Sequence, residues 1–444
     1  MREPNTLLDA LLDEAGMSRA GLAVRVNRLG ESEGRAYAYD HTSVGRWVAG
    51  QRPRGAVPGY VQRILSVAVG RPLTLDDVGF GAPAAASPGT VGLEQFVNRA
   101  PALWRSDRPE QGKSAPVASG LNAIAPVWEW ENPPEDSDVS RRGSARVGLD
   151  DVACIQAARN RYEQMYRRVG GVATRGRVVF FLNEYAASVL RGSYTDAVGR
   201  KLHRAVGGLV SIAGICAYDA DAQGFAQGYF HQALRLAKAS GDRSFGAYVI
   251  GLMTNQAMFL RDYHRALAFA EAALRAAGTE ISPALAADLN AMKAKAYGRI
   301  KEQGSAHRAM ESAERAADRI GEREEPPETG YVQPGLVDTQ LAESLLSLGD
   351  LTAASAYAQQ AADLTTHPRG QVNRLVTVTR VAVARREIDR AAEAASTMLD
   401  RAEGMESVRL SNRFRAIADA LRSQDAASAR AVVERIDTNL SVPI

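Results

Sequence analysis

The chain has few of the residues from which disulfide frameworks, metal centres and membrane spans are built. Only two of its 444 residues are cysteines, Cys154 and Cys216, too few for a disulfide framework or a cysteine-rich zinc site. The six histidines stand apart, and no two of them form a His-x-x-x-His pair. No apolar run reaches the roughly 18 residues that cross a bilayer. We therefore expect a cytoplasmic protein without a metal, a cofactor or a membrane contact.

The sequence also lacks a recognisable catalytic constellation. The glycine-rich stretch 170–177, "GGVATRGR", does not end in the Lys-Ser/Thr of a phosphate-binding loop. His231 and His264 hold corresponding places in two successive helical segments, which repeat geometry explains better than chemistry. We expect that the protein is not an enzyme.

The net charge of +3 is small, so any nucleic-acid contact has to come from local clusters of cations. With 45% hydrophobic and 24% charged residues the chain has a globular composition, and its length exceeds one ordinary domain. Residues 1–80 alternate helical patterns with turn signals, residues 81–147 form a linker rich in proline, glycine and alanine, and residues 148–444 have helical spacing almost throughout. We expect Trp104 and the "WEW" at 128–130 to anchor the linker on a neighbouring domain.

The C-terminal region repeats a pattern of small residues. An alanine recurs with a second alanine four residues later, as at Ala266 and Ala270, which places both on one helix face. The first alanines are 33, 43, 45, 37 and 38 residues apart, at Ala233, Ala266, Ala309, Ala354, Ala391 and Ala429. The first interval matches the tetratricopeptide period of about 34 residues, although the tryptophan of that repeat is absent. We predict tetratricopeptide-like helical repeats, with an irregular helical bundle as the alternative.

Residues 1–80 carry the start and stop signals of four or five short helices. Ser18 can cap the second helix, and Thr74 a short closing helix. Either Asp40 or Thr42 can cap the third. A bundle with a small, polar third helix is a helix-turn-helix arrangement, in which that helix enters the major groove of DNA. Residues 17–71 fit this function because they hold nine arginines against three acids.

The third helix has an inward and an outward face. Val44, Trp47 and Val48 form its apolar stripe, while other residues lie off the stripe. Arg46 can bridge guanine O6 and N7, and the hydroxyls of Thr42 and Ser43 can meet a base acceptor or a thymine methyl. Further residues predicted to contact DNA, mostly at phosphates, are Arg19, His41, Arg52 and Arg54. For His41, a solvated capping role is the alternative.

These residues resemble a known family. The stretch "DHTSVGRWVAGQRP", with "GLAVRVNRLG" upstream and "GRPLTLDDVG" downstream, resembles the helix-turn-helix of Xre-type bacterial regulators. It is most similar to the actinobacterial group in which an Xre-like head precedes a tetratricopeptide-like tail. The resemblance implies a homodimer that binds double-stranded DNA, with base-reading positions at Thr42, Ser43 and Arg46 and a phosphate contact at Arg52. It also implies a tail that senses a ligand or a partner.

One segment departs from the family. The stretch "LGESEGRAYAYD", between the second and third helices, is longer than the usual tight turn. It contains Arg35, Tyr37 and Tyr39. Contact with the DNA backbone and packing against the head are both open for these side chains.

The repeat pattern also predicts a ligand site in the tail. Counting back from the aligned alanines reaches the concave side of the partner helices at Tyr218, Tyr248, Asn255, Thr339, Glu343, Asn373 and Arg380. An asparagine there can hold a peptide backbone with both its donor and its acceptor, as the resembled peptide-sensing regulators do. We predict that this side binds a peptide, a small molecule or a protein effector, ordinary polar surface residues being the alternative. The acidic segment 321–335 is either a loop across this side or a plain insertion.

The sequence thus predicts a dimeric, sequence-specific transcription regulator that binds a palindromic operator and is controlled through its tail. Its predicted fold is all-α, with an N-terminal helix-turn-helix domain (1–80), a linker (81–147) and a C-terminal tetratricopeptide-like helical-repeat superhelix (148–444). The alternative is a protein-interaction adaptor that acts through the tail, with DNA binding secondary. Salt-dependent, sequence-selective DNA binding distinguishes the two.

Overall fold

The computed structural model describes residues 4–33, 35–70, 73, 75, 77–80, 92–109, 115–132, 136–364 and 366–441. Within these ranges the regular structure is helical, with no strand and only two isolated β-bridges, Arg141 with Tyr194 and Arg146 with Ser193. The protein is all-α, which confirms the predicted class. No helix in the described ranges is long and apolar enough to cross a bilayer. The chain divides into two compact units, Met1–Val91 and Gly92–Ile444, called the head and the tail below.

The described part of the head contains four α-helices, α1 Thr6–Glu14, α2 Arg19–Ser32, α3 His41–Val48 and α4 Val57–Ala68. Two predicted caps are confirmed. The Ser18 hydroxyl accepts a hydrogen bond from the Gly21 N–H at 3.1 Å, and the Asp40 carboxylate accepts one from the Ser43 N–H at 2.8 Å. Thr74, the predicted cap of a closing helix, lies outside the described residues.

The core of the head is small and aromatic. Trp47 of α3 is 4% exposed and packs edge-to-face against Tyr39 and Phe80, with ring centroids 5.1 and 6.3 Å away. Val44 is buried beside Trp47, whereas Val48, at the end of α3, is half-buried. The helix therefore buries the stripe that its sequence predicts, and Trp47 fixes it to two neighbouring segments.

The described tail begins with three short helices, α5 Leu93–Arg99, α6 Pro101–Ser106 and α7 Leu121–Glu131. Next come α8 Leu149–Val169, α9 Gly171–Phe181 and α10 Ala187–Leu190, with a π-helical turn at Leu182–Ala186. Six helical hairpins follow: α11 Asp196–Asp219 with α12 Gln223–Ser240, α13 Arg243–Phe259 with α14 Tyr263–Ala277, α15 Pro283–Arg299 with α16 Gln303–Ala317, α17 Leu336–Leu348 with α18 Leu351–Asp363, α19 Pro368–Ala384 with α20 Ile388–Ala402, and α21 Val408–Arg422 with α22 Ala427–Ser441. Two short 3-10 helices, Gly278–Glu280 and Pro327–Tyr331, lie in connections.

The region predicted as a linker, 81–147, is folded onto the tail wherever the structure describes it. Residues 81–91 lie outside the described residues, but α5, α6 and α7 pack on the hairpins. Trp104 is fully buried and donates from its indole nitrogen to Gln232 at 2.8 Å, while Trp130 is 5% exposed. The anchoring role predicted for these tryptophans therefore holds, whereas the domain boundary shifts from 148 to Gly92. Trp128 is the exception, because it remains 61% exposed.

A buried ion pair also holds this segment in place. Asp107, after α6, is 2% exposed and receives hydrogen bonds from Arg175 of α9 at 2.5 and 3.2 Å. The Tyr229 hydroxyl donates a third at 2.9 Å. Glycines inside the hairpin helices make room for the segment. A Cβ at Gly246 would collide with the Trp130 indole, and one at Gly228 would lie in tight contact with Leu103, 3.1 Å from its nearest atom.

Five hairpins share one type of turn. The residue that links their two helices has a left-handed backbone, at Asp221, Arg261, Lys301, Gly349 and Arg386. Around Arg261, its own N–H donates to the carbonyl of Met258 and the next N–H to that of Ala257, and the same pair of bonds recurs at the three other non-glycine turns. The alanine five positions after each turn residue is at most 1% exposed, at Ala226, Ala266, Ala306, Ala354 and Ala391. The tail is thus built from repeated helix pairs.

The repeat register differs from the predicted one at two hairpins. The turn residues at 221, 261, 301, 349 and 386 are 40, 40, 48 and 37 residues apart. Ala226, rather than Ala233, corresponds to Ala266, so the 33-residue interval that suggested a tetratricopeptide period arises from a shift of two helical turns. Ala306 likewise replaces Ala309. An alanine pattern alone cannot fix the register, because residues seven apart share a helix face.

The row of hairpins curves until its two ends meet. The carbonyl of Glu406, before α21, approaches the Gly170–Gly171 junction between α8 and α9 so closely that a side chain at Gly170 would collide with it. Asp219, at the end of α11, accepts a hydrogen bond from the Gly171 N–H at 2.8 Å. It also forms an ion pair with Arg369 of α19. Gly170 and Gly171, the first two residues of the glycine-rich stretch 170–177, therefore serve backbone packing, and the closure encloses the concave side.

Candidate nucleic-acid interface and ligand cavity

The outer face of α3 presents a small polar surface. His41, Thr42 and Arg46 are exposed on it, opposite the buried Val44 and Trp47. The cap residue before them, Asp40, uses its carboxylate on α3 itself. Hydrogen bonds from the side chain and backbone of Ser43 lower the pKa of Asp40, so that it is ionised at neutral pH.

Ser43 does not belong to the exposed face, in contrast to the prediction. It is 7% exposed, its hydroxyl donates to Asp40 at 2.8 Å, and it accepts a hydrogen bond from Arg46 at 3.3 Å. The cap explains this orientation, because the Asp40 carboxylate binds both the N–H and the hydroxyl of Ser43. Ser43 therefore positions Arg46 and has no surface with which to meet a base. Of the three residues predicted to read bases, Thr42 and Arg46 are exposed, and the exposed His41 lies beside them.

The remaining predicted DNA contacts are also exposed. Arg19, at the start of α2, lies next to α3, since a Cβ added at Gly45 would be 4.0 Å from its guanidinium. Arg19 also forms an ion pair with Asp9 of α1 at 3.0 Å, which a phosphate would have to replace. Arg52 and Arg54 are exposed on either side of the buried Pro53, in the turn that follows α3.

The long segment between α2 and α3 packs on the head. Tyr37 stacks on Tyr39 with centroids 5.4 Å apart and meets Tyr60 of α4 edge-on at 6.2 Å. The Asn27 side chain accepts from the Tyr39 N–H at 3.0 Å and donates to its carbonyl at 2.9 Å. Arg35 remains exposed and interacts with the Tyr37 hydroxyl. The two tyrosines thus stabilise the head, while only Arg35 has a surface position from which DNA could be reached.

The concave side of the tail holds a cavity of about 250 Å³. The first helices of the six hairpins line it, with α8 and the end of the 3-10 helix Pro327–Tyr331. Six residues of the predicted ligand site lie in its wall, namely Tyr218, Tyr248, Asn255, Thr339, Glu343 and Asn373. The seventh, Arg380, is not part of the wall but pairs with Glu343, which is, at 3.5 Å. The structure brings residues from four hairpins to one cavity.

The segment 321–335 forms a fixed side of this cavity. Tyr331 and Gln333 are part of the wall, and the Tyr331 hydroxyl donates to Asp288 of α15 at 2.6 Å. Glu328 is 6% exposed and pairs with Arg204 of α11 at 2.8 Å. Of the two alternatives for this segment, the structure favours the loop across the concave side.

Sequence reasoning missed much of the charged wall. With the register given by the turns, the residues eleven positions before the repeat alanines are Ile215, Asn255, Lys295, Glu343 and Arg380. The predicted positions were counted back from Ala233, Ala266, Ala354 and Ala391, so Lys295 and Asp288 of the third hairpin were not reached. Arg167 lies on α8, which precedes the repeats. Arg409 and Arg413 lie on α21, whose hairpin has no left-handed residue at its turn in the described chain.

The carboxylates of the wall differ in their environment. Burial alone would raise the pKa of Glu343, but three cations outweigh it and lower that pKa, namely Lys295 at 2.6 Å, Arg380 and Arg413. Asp288 has only neutral hydrogen-bond partners, and burial raises its pKa. No group of three or more His, Cys, Asp and Glu side chains in the described chain is arranged to hold a metal ion.

Cations outnumber carboxylates along the wall. The cations are Arg167, Lys295, Arg369, Arg374, Arg409 and Arg413, and the carboxylates are Glu163, Asp288 and Glu343. Arg167 pairs with Glu163 at 2.7 Å, and Arg369 pairs with Asp219. Arg374 is satisfied by backbone carbonyls, including that of Leu364 at 2.6 Å. Neither Arg409 nor Arg413 forms an ion pair with a residue that the structure describes. Arg413 instead donates a hydrogen bond to the Asn373 amide oxygen at 2.7 Å, and Arg409 stacks on Tyr218.

The comparison with protein families concerns the head. The model of the family described as the SP15 N-terminal domain matches residues 8–81, so this part of the chain is similar to that domain. The match runs from α1 to the turn that contains Phe80 and ends before the tail begins. None of the curated proteins compared with the chain matches it. The head is thus a separate sequence module as well as a separate compact unit.

Proposed function

We propose that the protein is a cytoplasmic, DNA-binding transcription regulator that acts as a homodimer. The observation that carries this proposal is the asymmetry of α3, which buries Val44 and Trp47 and leaves Thr42 and Arg46 exposed beside the Arg19 guanidinium. A short helix that is locked by an apolar stripe and faces water with a small polar surface fits the major groove. The exposed Arg52 and Arg54 in the following turn suit contacts to phosphates.

In this proposal each residue of the interface has a distinct role. Arg46 reads a guanine in the major groove, held by its hydrogen bond to Ser43. Thr42 and His41 contact the neighbouring base or its phosphate. The two copies of the head bind a palindromic operator whose half-sites are about 34 Å, or a multiple of it, apart. The tail carries the effector cavity, and its occupancy shifts the population of DNA-binding conformations.

The test is fluorescence anisotropy of the full chain with tiled fragments of the DNA upstream of its own gene, at two salt concentrations. We expect one fragment to be bound well above the others at the higher salt. Arg46→Ala should weaken the binding of that fragment by about 1–3 kcal/mol and relax the sequence preference at one base pair. Arg63→Ala on α4, which removes an exposed cation paired with Glu33 at 2.9 Å, is the matched control and should leave the preference unchanged. Equal loss on specific and random DNA for Arg46→Ala would refute base reading.

A specific observation favours a second function, that of a protein-interaction adaptor. Helix α7 exposes an apolar stripe at Leu121, Ile124 and Trp128, which are 79, 42 and 61% exposed. Residues at this spacing share one helix face, and exposed aromatic and aliphatic side chains are common at protein interfaces. Trp128→Ala should abolish the capture of a protein partner without changing DNA binding if the adaptor function holds. Uniform DNA binding that vanishes with salt, combined with such a loss of capture, would favour the adaptor over the regulator.

A further inference from the structure

Two arginines of the cavity wall form no ion pair with a residue that the structure describes. Arg409 and Arg413 are one turn apart on α21 and both line the cavity. Burial and the charge of Arg409 lower the pKa of the Arg413 guanidinium. The Nε atom of Arg409 is buried without a hydrogen-bond partner in the described structure. Both residues are half-buried. Like charges in a partly enclosed site repel each other, and a buried polar atom without a partner is unfavourable.

The surroundings hold these guanidinium groups in a defined geometry. Arg409 lies over the ring of Tyr218 with its guanidinium carbon 3.9 Å from the ring centre, which fixes the plane of the group. Arg413 is held from one side by the Asn373 amide oxygen at 2.7 Å. Glu343, the carboxylate whose charge acts on Arg413, is already bound by Lys295 at 2.6 Å and by Arg380. A further buried donor faces the same wall, because Arg369 is 5% exposed and its Nη1 atom has no partner among the described residues.

The rest of the wall is mainly apolar and aromatic. It includes Tyr166, Ile212, Tyr248, Leu252 and Met292. A cavity of about 250 Å³ with this lining suits a small molecule with a hydrophobic body. Guanidinium groups, in turn, match the planar or tetrahedral oxygens of a carboxylate, phosphate or sulfonate.

We propose that the cavity binds a low-molecular-weight organic anion, with its charged group at Arg409 and Arg413 and its apolar or aromatic body against the tyrosines and aliphatic side chains. The anion neutralises the surplus positive charge and fills the donor capacity that the protein leaves unused. One part of this inference rests on the proposed function, namely that the anion acts as the effector that controls DNA binding. Binding itself does not depend on DNA.

The test uses two dyes that share one ring system, the anion 8-anilinonaphthalene-1-sulfonate and the neutral N-phenyl-1-naphthylamine. Each is titrated into the full chain and followed by its fluorescence. We expect the anionic dye to bind one site more tightly than the neutral dye. Arg413→Gln and Arg409→Gln should each lower the affinity for the anionic dye roughly tenfold or more, as expected for a lost charge-assisted hydrogen bond. Neither substitution should lower the affinity for the neutral dye.

The matched control is Arg415→Gln, an exposed arginine on the same helix that donates to Asn412 at 2.7 Å. It should bind both dyes as the parent does. Because partly unfolded proteins also bind such dyes, each variant is first checked for an unchanged near-ultraviolet circular dichroism spectrum. Arg413→Lys, which keeps the charge but not the planar group, is a second variant and should retain part of the affinity.

The outcomes separate this inference from the proposed function. Equal affinity for the two dyes, no binding of the anionic dye, or full affinity in both glutamine variants overturns the anion site. If selective DNA binding persists in that case, the regulator proposal stands without it. Arginine-dependent dye binding in a protein that binds no DNA selectively supports the anion site and removes the regulator. An anion that binds at Arg413 and changes the affinity for the operator supports both.

Discussion

Arg46 in the head and Arg409 and Arg413 in the tail form no ion pair with a residue that the structure describes, but their surroundings differ. On the head, Arg46 is exposed to water, where an unpaired cation costs little and attracts a polyanion over the screening length of the solution. In the tail, Arg409 and Arg413 lie half-buried in the wall of a cavity, where a cation without an ion pair is less favourable than it is in water. Exposed charge suits a large partner that approaches from outside, whereas enclosed charge suits a small partner that is surrounded.

The tail side of this comparison is tested most strongly by Asp107→Ala. The substitution leaves Arg175, which is 7% exposed, without its carboxylate and removes the acceptor of the Tyr229 hydroxyl. A buried charge left without its partner costs about 3–5 kcal/mol. Urea unfolding of the tail measures the change in the free energy of unfolding. The double variant Asp107→Ala with Arg175→Met should recover much of the loss, and a change below about 1 kcal/mol for the single variant would contradict the buried pair.

The head side is tested by Trp47→Ala. The expected loss in the free energy of unfolding is similar to that of Asp107→Ala, but it affects the head and not the tail. Removal of a buried aromatic side chain from a small core costs about 3–5 kcal/mol. The substitution removes the edge-to-face packing of the indole ring against Tyr39 and Phe80. Hydrogen exchange measured by mass spectrometry should show weaker protection in residues 4–80 and unchanged protection in the hairpins. Weaker protection in both units would show that their stabilities are coupled.

Acid should also affect the two units over different pH ranges. His203 of α11 is fully buried, and burial lowers its pKa to about 4 from the usual 6.5. The unfolded chain therefore binds a proton that the folded tail does not, so the contribution of His203 is present above pH 6.5 and is lost as the pH falls towards 4. The loss is about 3 kcal/mol for this group. In the head, Asp40 has a lowered pKa, so its contribution is lost only below about pH 3.8.

Urea unfolding at pH 7 and pH 5, followed by hydrogen exchange in each unit, measures this difference. We expect the tail to lose stability between these values and the head to keep its own. His203→Phe, which replaces the ring by one that cannot be protonated, should reduce the pH dependence of the tail without abolishing it, because burial also lowers the pKa of His231 and of His367 to about 4. An equal pH dependence in parent and variant would mean that other groups dominate.

Local signals of the sequence were sufficient for the helices of both units. Ser18 and Asp40 cap helices as predicted, and buried alanines recur on the second helix of each pair. The prediction failed where close packing of distant segments decides. The proline- and glycine-rich region looked like a linker, yet Gly228 and Gly246, inside helices, mark the places where Leu103 and Trp130 dock. Glycines within predicted helices were the available signal.

The candidate sites show the same limit. Periodicity placed Asn255 and Glu343 on the concave side, because helix faces follow from spacing alone. It could not show that Ser43 turns inward, since that depends on one hydrogen bond to Asp40. Nor could it show which arginines find a carboxylate, because pairs such as Arg369 with Asp219 join residues 150 positions apart. The surplus charge of the cavity is visible only after all pairs have been identified in three dimensions.

The smallest expected effect is the one that sharpens the comparison most. Arg413→Gln removes a cation whose charge is opposed by burial and by Arg409. We therefore expect the free energy of unfolding without ligand to change by less than about 0.5 kcal/mol or to rise by up to about 1 kcal/mol. An arginine kept for the fold, such as Arg175, should instead lower stability when Arg175→Gln leaves Asp107 buried without a charge partner. Urea unfolding of both variants provides the measurement. If Arg413→Gln destabilises the tail as much as Arg175→Gln does, Arg413 serves the fold, and the difference between a structural and a ligand-binding arginine in this tail disappears.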